Sequence, residues 1–177
     1  MQVLNILKAV WRRSGLFFIT ASLVILADQL SKLWIRSNLA PYSLTHESTW
    51  DIGFFRLIHT QNTGAAFGIF QDHALLLTII DIIGVCFILF LVLFMYKRLP
   101  FLNSLPFKIS LALIFGGAIG NLIDRLSLGH VTDFIDFSFW ATFNIADSSG
   151  VIGVVVIVFF LVFLYREKED NSSKQDE

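Results

Sequence analysis

Four long apolar runs, parted by short polar clusters, set the pattern of this 177-residue chain. A helix needs about 20 mostly apolar residues to cross the hydrocarbon core of a bilayer. Residues 16–35, 74–96, 107–126 and 148–165 meet that length and predict an all-α membrane domain, 1–177, with four transmembrane helices. Residues 41–72, between the first two runs, do not read as a plain connector. Phe54-Phe55-Arg56-Leu57-Ile58-His59-Thr60 has the aromatic and branched content of a short strand. Asn62-Thr63-Gly64-Ala65-Ala66-Phe67-Gly68 then brings small residues where backbone can approach a ligand closely. A small β element lying on the membrane surface is the expectation there. The polar stretch 167–177 reads as a disordered tail.

Composition agrees with a membrane setting. The chain is 55% hydrophobic with a mean hydropathy of +0.71, beyond the usual range of a soluble domain. A net charge of −1 gives no footprint for nucleic acid, and none is expected as a partner. The single Cys86 cannot form an internal disulfide, and His46, His59, His73 and His130 lack the spacing of a zinc site, so no metal or cofactor is expected. Lys8, Arg12 and Arg13 precede the first run as they would in a secretory signal. No small-x-small pattern closes that run, which favours a retained anchor.

Basic residues set the orientation. With the N-terminus inside, Lys8, Arg12, Arg13, Lys97, Arg98, Lys108, Arg166, Lys168 and Lys174 are inside, against Arg36, Arg56 and Arg125 outside. That bias predicts both termini in the cytoplasm. It also gathers the unusual polar residues at the outer face. Asp28 and Lys32 fall in the outer part of the first span, four residues apart, and can pair on one helix face. Two readings stand for them, a pair that snorkels to the interface or a support for a site. Asn121, Asp124 and Arg125 lie at the outer end of the third span, where adjacency predicts a structural Asp124–Arg125 salt bridge. Ala112, Gly116 and Gly120, with Gly117 beside them, form a small-residue ridge that lets helices pack closely in lipid and would hold that cluster rigid. Asp81, inside the second span, has no sequence-level account.

The most telling residues are Asp133 and Asp147, fourteen positions apart and flanking the start of the last span. Asp133 lies in the outer loop and Asp147 at the outer start of the fourth helix. Two carboxyls at hydrogen-bonding distance can share one proton and activate a water. Ser148 and Ser149 adjoin Asp147, but only His130 is near enough in sequence to activate them, which makes a serine nucleophile a poor rival. A proton-coupled transporter would also bury Asp28, Asp81 and Lys32. It would, however, need polar residues through both leaflets, and here the inner halves are nearly all apolar. An assembly factor would need the glycine ridge but not two aspartates near one surface.

Five segments in order resemble a known family: Asp28-Gln29-x-Ser31-Lys32, Asn62-x-Gly64-Ala65-Ala66-Phe67-Gly68, Gly116-Gly117-Ala118-x-Gly120-Asn121-x-x-Asp124-Arg125, Val131-x-Asp133-Phe134 and Phe143-Asn144-x-Ala146-Asp147. Together they resemble the bacterial lipoprotein signal peptidases, or signal peptidase II. The resemblance implies a four-span aspartic endopeptidase of the bacterial inner membrane, active at its outer leaflet; a monomer is the expectation. It implies removal of the signal peptide from a prolipoprotein just before a diacylglyceryl-modified cysteine. Asp133 and Asp147 would be its catalytic dyad. Asn62, Asn121, Arg125 and Asn144 would be polar partners of the site, Gly64 part of the substrate cradle, and Asp28, Lys32 and Asp124 supports. The interval from Asp133 to Asp147 is short for the family, which implies a reduced outer segment over the substrate.

Overall fold

The structure, a computed structural model, describes residues 2–42, 49–64, 73–96, 98–137 and 139–173. His46, Ala65, Ala66, Phe67, Gly68, Lys97 and residues 174–177 lie outside the described residues. Four helices carry the fold: α1 (Gln2–Asn38), α2 (Ala74–Phe90), α3 (Leu105–Leu128) and α4 (Ile145–Ser173). Each contains a stretch long and apolar enough to cross a membrane: Ser14–Asn38, Ala74–Met95, Leu105–Leu128 and Ile145–Arg166. The four expected spans are therefore present, with ends displaced by a few residues. The helical backbone of α4 also covers 167–173, which the sequence assigned to a disordered tail. Arg166, Glu167, Lys168 and Glu169 are good helix formers and extend a helix already nucleated in the apolar segment.

The third helix is the axis of the bundle. It packs against α1, α2 and α4, and 56% of its apolar window is buried, against 11% for α4. The small-residue ridge explains this position. A Cβ on Gly116 would lie 2.8 Å from Cβ of Val24 in α1, one on Gly117 would lie 2.7 Å from Oγ of Ser149 in α4, and one on Gly120 would lie 2.5 Å from Oδ2 of Asp28. Only glycine lets α3 approach both neighbours at once, so the ridge seats α1 and α4 closely against one helix. Phe17, Ala21, Val85, Ile88, Leu111 and Phe115 fill the adjoining core. Gly129 ends α3 in a left-handed conformation, φ 78°, with its N–H bonded to the Arg125 carbonyl, and turns the chain out of the bundle.

That turn leads into a three-stranded antiparallel sheet of order β1-β2-β3: β1 (Trp50–Asp51), β2 (Arg56–Asn62) and β3 (Val131–Asp136). Sequence placed the strand at 54–60 and Asp133 in a loop. The observed β2 begins two residues later, and Asp133 sits in a strand. The run Val131-Thr132-Asp133-Phe134-Ile135-Asp136 is rich in branched and aromatic residues and pairs Thr60 with Asp133 and Asn62 with Val131. Ile35, Leu39 and Phe134 anchor the sheet onto the end of α1. After β3 the chain folds back, Phe143 bridges Ile135, and the next residue, Asn144, opens α4. This fold-back brings the two halves of the site together across a short interval.

Candidate active site

Asp133 and Asp147 reach the site from different elements, one from β3 and one from the first turn of α4. Three asparagines join them. Asn62 donates from Nδ2 to Asp133 Oδ2 at 2.9 Å, and Asn144 donates from Nδ2 to Asp133 Oδ1 at 2.7 Å. Asn121 donates from Nδ2 to Asp147 Oδ1 at 2.8 Å, and the backbone N–H of Asn144 donates to Asp147 Oδ2 at 3.2 Å. Asn144 thus touches both carboxyls.

Each amide is oriented by a donor that holds its oxygen. Asn62 Oδ1 accepts from the Gly64 N–H at 2.9 Å, Asn144 Oδ1 from the Asp147 N–H at 2.9 Å, and Asn121 Oδ1 from Lys32 Nζ at 2.9 Å. With the oxygen engaged, the NH2 of each amide has to face a carboxylate. The exchange between Asn144 and Asp147 is also a helix N-cap, with an Asn cap and an acid three residues on. It explains why α4 starts at Ile145, ahead of the expected 148.

Asp133 is 2% exposed, and its pKa is pushed up to about 7. Burial is the main cause and the charge of Asp147 adds to it; the bonds from Asn62 and Asn144 and the charge of Lys32 pull the other way. Among the described residues no Lys or Arg forms an ion pair with Asp133 or Asp147. Two neighbouring carboxyls without a cation cannot both ionise cheaply. They can hold one proton between them.

Behind the pair lies a compensated charge network. Lys32 Nζ bonds Asp28 Oδ2 at 2.8 Å and Asp124 Oδ2 at 3.3 Å, and all three side chains are buried. This excludes snorkelling for Asp28–Lys32. Asp28 Oδ1 also accepts the Ala146 N–H at 2.9 Å, tying α1 to the start of α4. The expected Asp124–Arg125 bridge is not formed. Adjacent helical residues point about 100° apart, so Asp124 turns to Lys32 and Arg36 while Arg125 turns to Asp81 on α2 at 2.6 Å. Asp81 is therefore no exception to the convergence of polar residues on this end.

Arg36 and Thr132 escaped the sequence reading as site supports. Arg36 donates to Thr132 Oγ1 at 3.0 Å, and Thr132 N–H donates to Asp124 Oδ2 at 3.0 Å, which locks β3 to the bundle beside Asp133. The signal was present: Asp28, Lys32 and Arg36 recur every four residues on one face of α1. Ser148 Oγ donates to the Asn144 carbonyl at 2.9 Å and Ser149 Oγ to the Ala146 carbonyl at 2.8 Å, so both hydroxyls are spent on backbone.

A cavity of about 900 Å³ opens on the pair. Asn62, Gly64, Asn121, Arg125, Asp133 and Asp147 line its polar end, and Ile114, Val151 and Val155 continue it as an apolar slot between α3 and α4. Fold and site define a multi-pass membrane protein whose carboxyl pair, Asp133 buried and Asp147 half-buried, faces a mixed polar and apolar cavity.

Comparison with known proteins gives the family. The family model described as signal peptidase II matches residues 20–163, and the chain belongs to that family. A lipoprotein signal peptidase of Dehalococcoides mccartyi is 43% identical over 160 residues, covering 90% of this chain and 97% of its own length. Another of that name, from Shewanella baltica, is 40% identical over 171 residues, covering 93% of this chain and 95% of its own. Two solved structures, each described as a bacterial membrane enzyme, share the fold. One has a TM-score of 0.75 at 29% identity, covering 92% of this chain and 93% of that one. The other has 0.70 at 30% identity, covering 83% and 92%.

Proposed function

We propose that this membrane peptidase removes signal peptides from prolipoproteins by an aspartic mechanism, with Asp133 and Asp147 as the dyad. The observation that carries the reading is two neighbouring carboxyls held by three oriented amides, with no cation paired to them among the described residues, at the mouth of a cavity that continues into apolar surface. Near neutral pH the pair holds one proton, and burial and the charge of Asp147 favour it on Asp133. Asp147 takes a proton from a water as its oxygen attacks the scissile carbonyl, and Asp133 donates its proton to the carbonyl oxygen. The tetrahedral adduct then collapses: the C–N bond breaks as Asp147 passes the proton it took from water to the departing amine, and a hydroxyl of the adduct returns its proton to Asp133 as the carboxyl product forms. Asn62, Asn121 and Asn144 hold both carboxyls in register for these transfers.

The substrate we propose is a precursor cleaved before a diacylglyceryl-modified cysteine, with its apolar signal segment and acyl chains in the slot between α3 and α4. The excess of basic residues supports cytoplasmic termini and, with them, a dyad at the outer face of a bacterial inner membrane. One chain supplies every residue named, in keeping with a monomer.

Purified protein in detergent, incubated with lipidated and unlipidated precursor, tests the reading. Cleavage of the lipidated form before its cysteine is expected, and no cleavage of either would reject it. The mechanism needs no metal, so a chelator should leave the rate unchanged. A loss reversed by one divalent ion would defeat the aspartic assignment.

A further inference from the structure

One ion pair near the site is unused by this mechanism. Arg125, at the polar end of the cavity, donates from NH1 to Asp81 Oδ2 at 2.6 Å. Its side chain makes no second hydrogen bond among the described residues, and it is the one cation among the described residues lining the cavity. A guanidinium carries five N–H donors in a rigid plane. One is fixed by Asp81, and the others remain for whatever enters the cavity. Asp81 stands two turns into α2, a helix that packs chiefly on α3 and contributes no other charged side chain to this end.

We propose that Asp81 is a positioning residue for substrate: from α2 it fixes the plane of the Arg125 guanidinium, whose free N–H groups bind carbonyl oxygens of the precursor next to the scissile bond. A peptide in an apolar cavity brings backbone carbonyls out of water, and a cation fixed at the cavity wall restores their hydrogen bonds. Fixing the guanidinium beforehand also removes part of the ordering cost of binding. The contact exists in the bound complex before reaction, so its loss weakens binding and leaves the chemical step largely intact. The alternative is that Asp81 and Arg125 only neutralise each other inside the membrane. A neutralising pair works in either order of its charges; a positioning pair does not.

The inference rests on the peptidase reading, so the wild type must first cleave a lipidated precursor; absence of cleavage there rejects that reading and not the role of Asp81. With active enzyme, Asp81→Asn should raise KM about tenfold and change kcat less than about threefold. The exchanged double variant Asp81→Arg, Arg125→Asp should recover the melting temperature lost in Asp81→Asn and keep the raised KM. An unchanged KM in Asp81→Asn, or a KM returned to the wild-type value in the exchanged variant, would overturn the proposal. Should Asp81→Asn fold poorly, Asp81→Glu decides: its longer arm keeps the charge and displaces the guanidinium. A raised KM at the wild-type melting temperature supports positioning, and a wild-type KM rejects it.

Discussion

Asp28 and Asp124 on one side, and Asp133 and Asp147 on the other, are two neighbouring groups of carboxyls at this end of the bundle that are treated in opposite ways. Asp28 and Asp124 share Lys32 and Arg36, two acids against two bases, with every short contact between opposite charges or to a backbone or amide N–H. Among the described residues, Asp133 and Asp147 receive their side-chain hydrogen bonds from neutral N–H donors of Asn62, Asn121 and Asn144. A buried carboxylate matched by a cation ties helices together. In the proposed dyad, a pair matched by amides keeps its geometry and retains a proton, so that it can serve as acid and base. Asn121 joins the two groups: its oxygen takes a bond from Lys32 while its NH2 serves Asp147. The charged network thus orients the neutral one without supplying it a counter-ion.

The strongest way to break this contrast is to remove the pair. Asp133→Asn and Asp147→Asn should each lower single-turnover rates by about 10⁴-fold or more, with the double variant little worse than either single one, as for residues that act as a unit. Each should still bind precursor, since lipid and signal segment are held mainly by burial. Losses that multiply in the double variant would mean two independent roles.

A smaller effect separates the cap from the clamp. Asn144→Ser keeps an acceptor for the Asp147 N–H and loses the donor to Asp133, so turnover should fall about 10²-fold at a nearly unchanged melting temperature. Equal damage to activity and melting would show that Asn144 serves α4 alone.

On the compensated side the order reverses. Asp124→Asn leaves Lys32 and Arg36 short of an acid, which costs about 3–5 kcal/mol for a broken buried pair. Turnover per folded molecule should stay within about tenfold of wild type. A well-folded, inactive Asp124→Asn beside an active Asp133→Asn would move the dyad to Asp124 and Asp147.

The mildest test is pH. A carboxyl raised from 3.8 to about 7 binds its proton more tightly in the folded state, so its contribution to stability declines as pH rises across that interval. Asp133→Asn removes the decline, and its melting temperature relative to wild type should be higher at pH 8 than at pH 4. The kcat/KM profile of the wild type should fall above about pH 7, where Asp133 loses the proton it donates. A flat alkaline limb would place the proton elsewhere.

Much of this protein was legible in its sequence, and the part that was not follows a rule. The four spans, the Asp28–Lys32 pair and the small-residue ridge depend on local spacing along one helix, and spacing is a property of the chain. The family could be read for a related reason, since its motifs are short, ordered and local. What the sequence could not assign was partnership across elements. Asp124 and Arg125 adjoin in the chain yet turn to different helices. Asp81 had no account until α2 was set against α3, and Asp133 was assigned to a loop because the partner of β3 lies some seventy residues earlier, in β2. The convergence of three amides on two carboxyls was likewise decided by tertiary structure. Asn62, Asn121 and Asn144 come from a strand, a helix and a cap, and only the packing of α3 between α1 and α4 brings them together. Local spacing determines which residues share a face; which faces meet is settled when the whole bundle buries its glycine ridge and satisfies its buried polar groups at once.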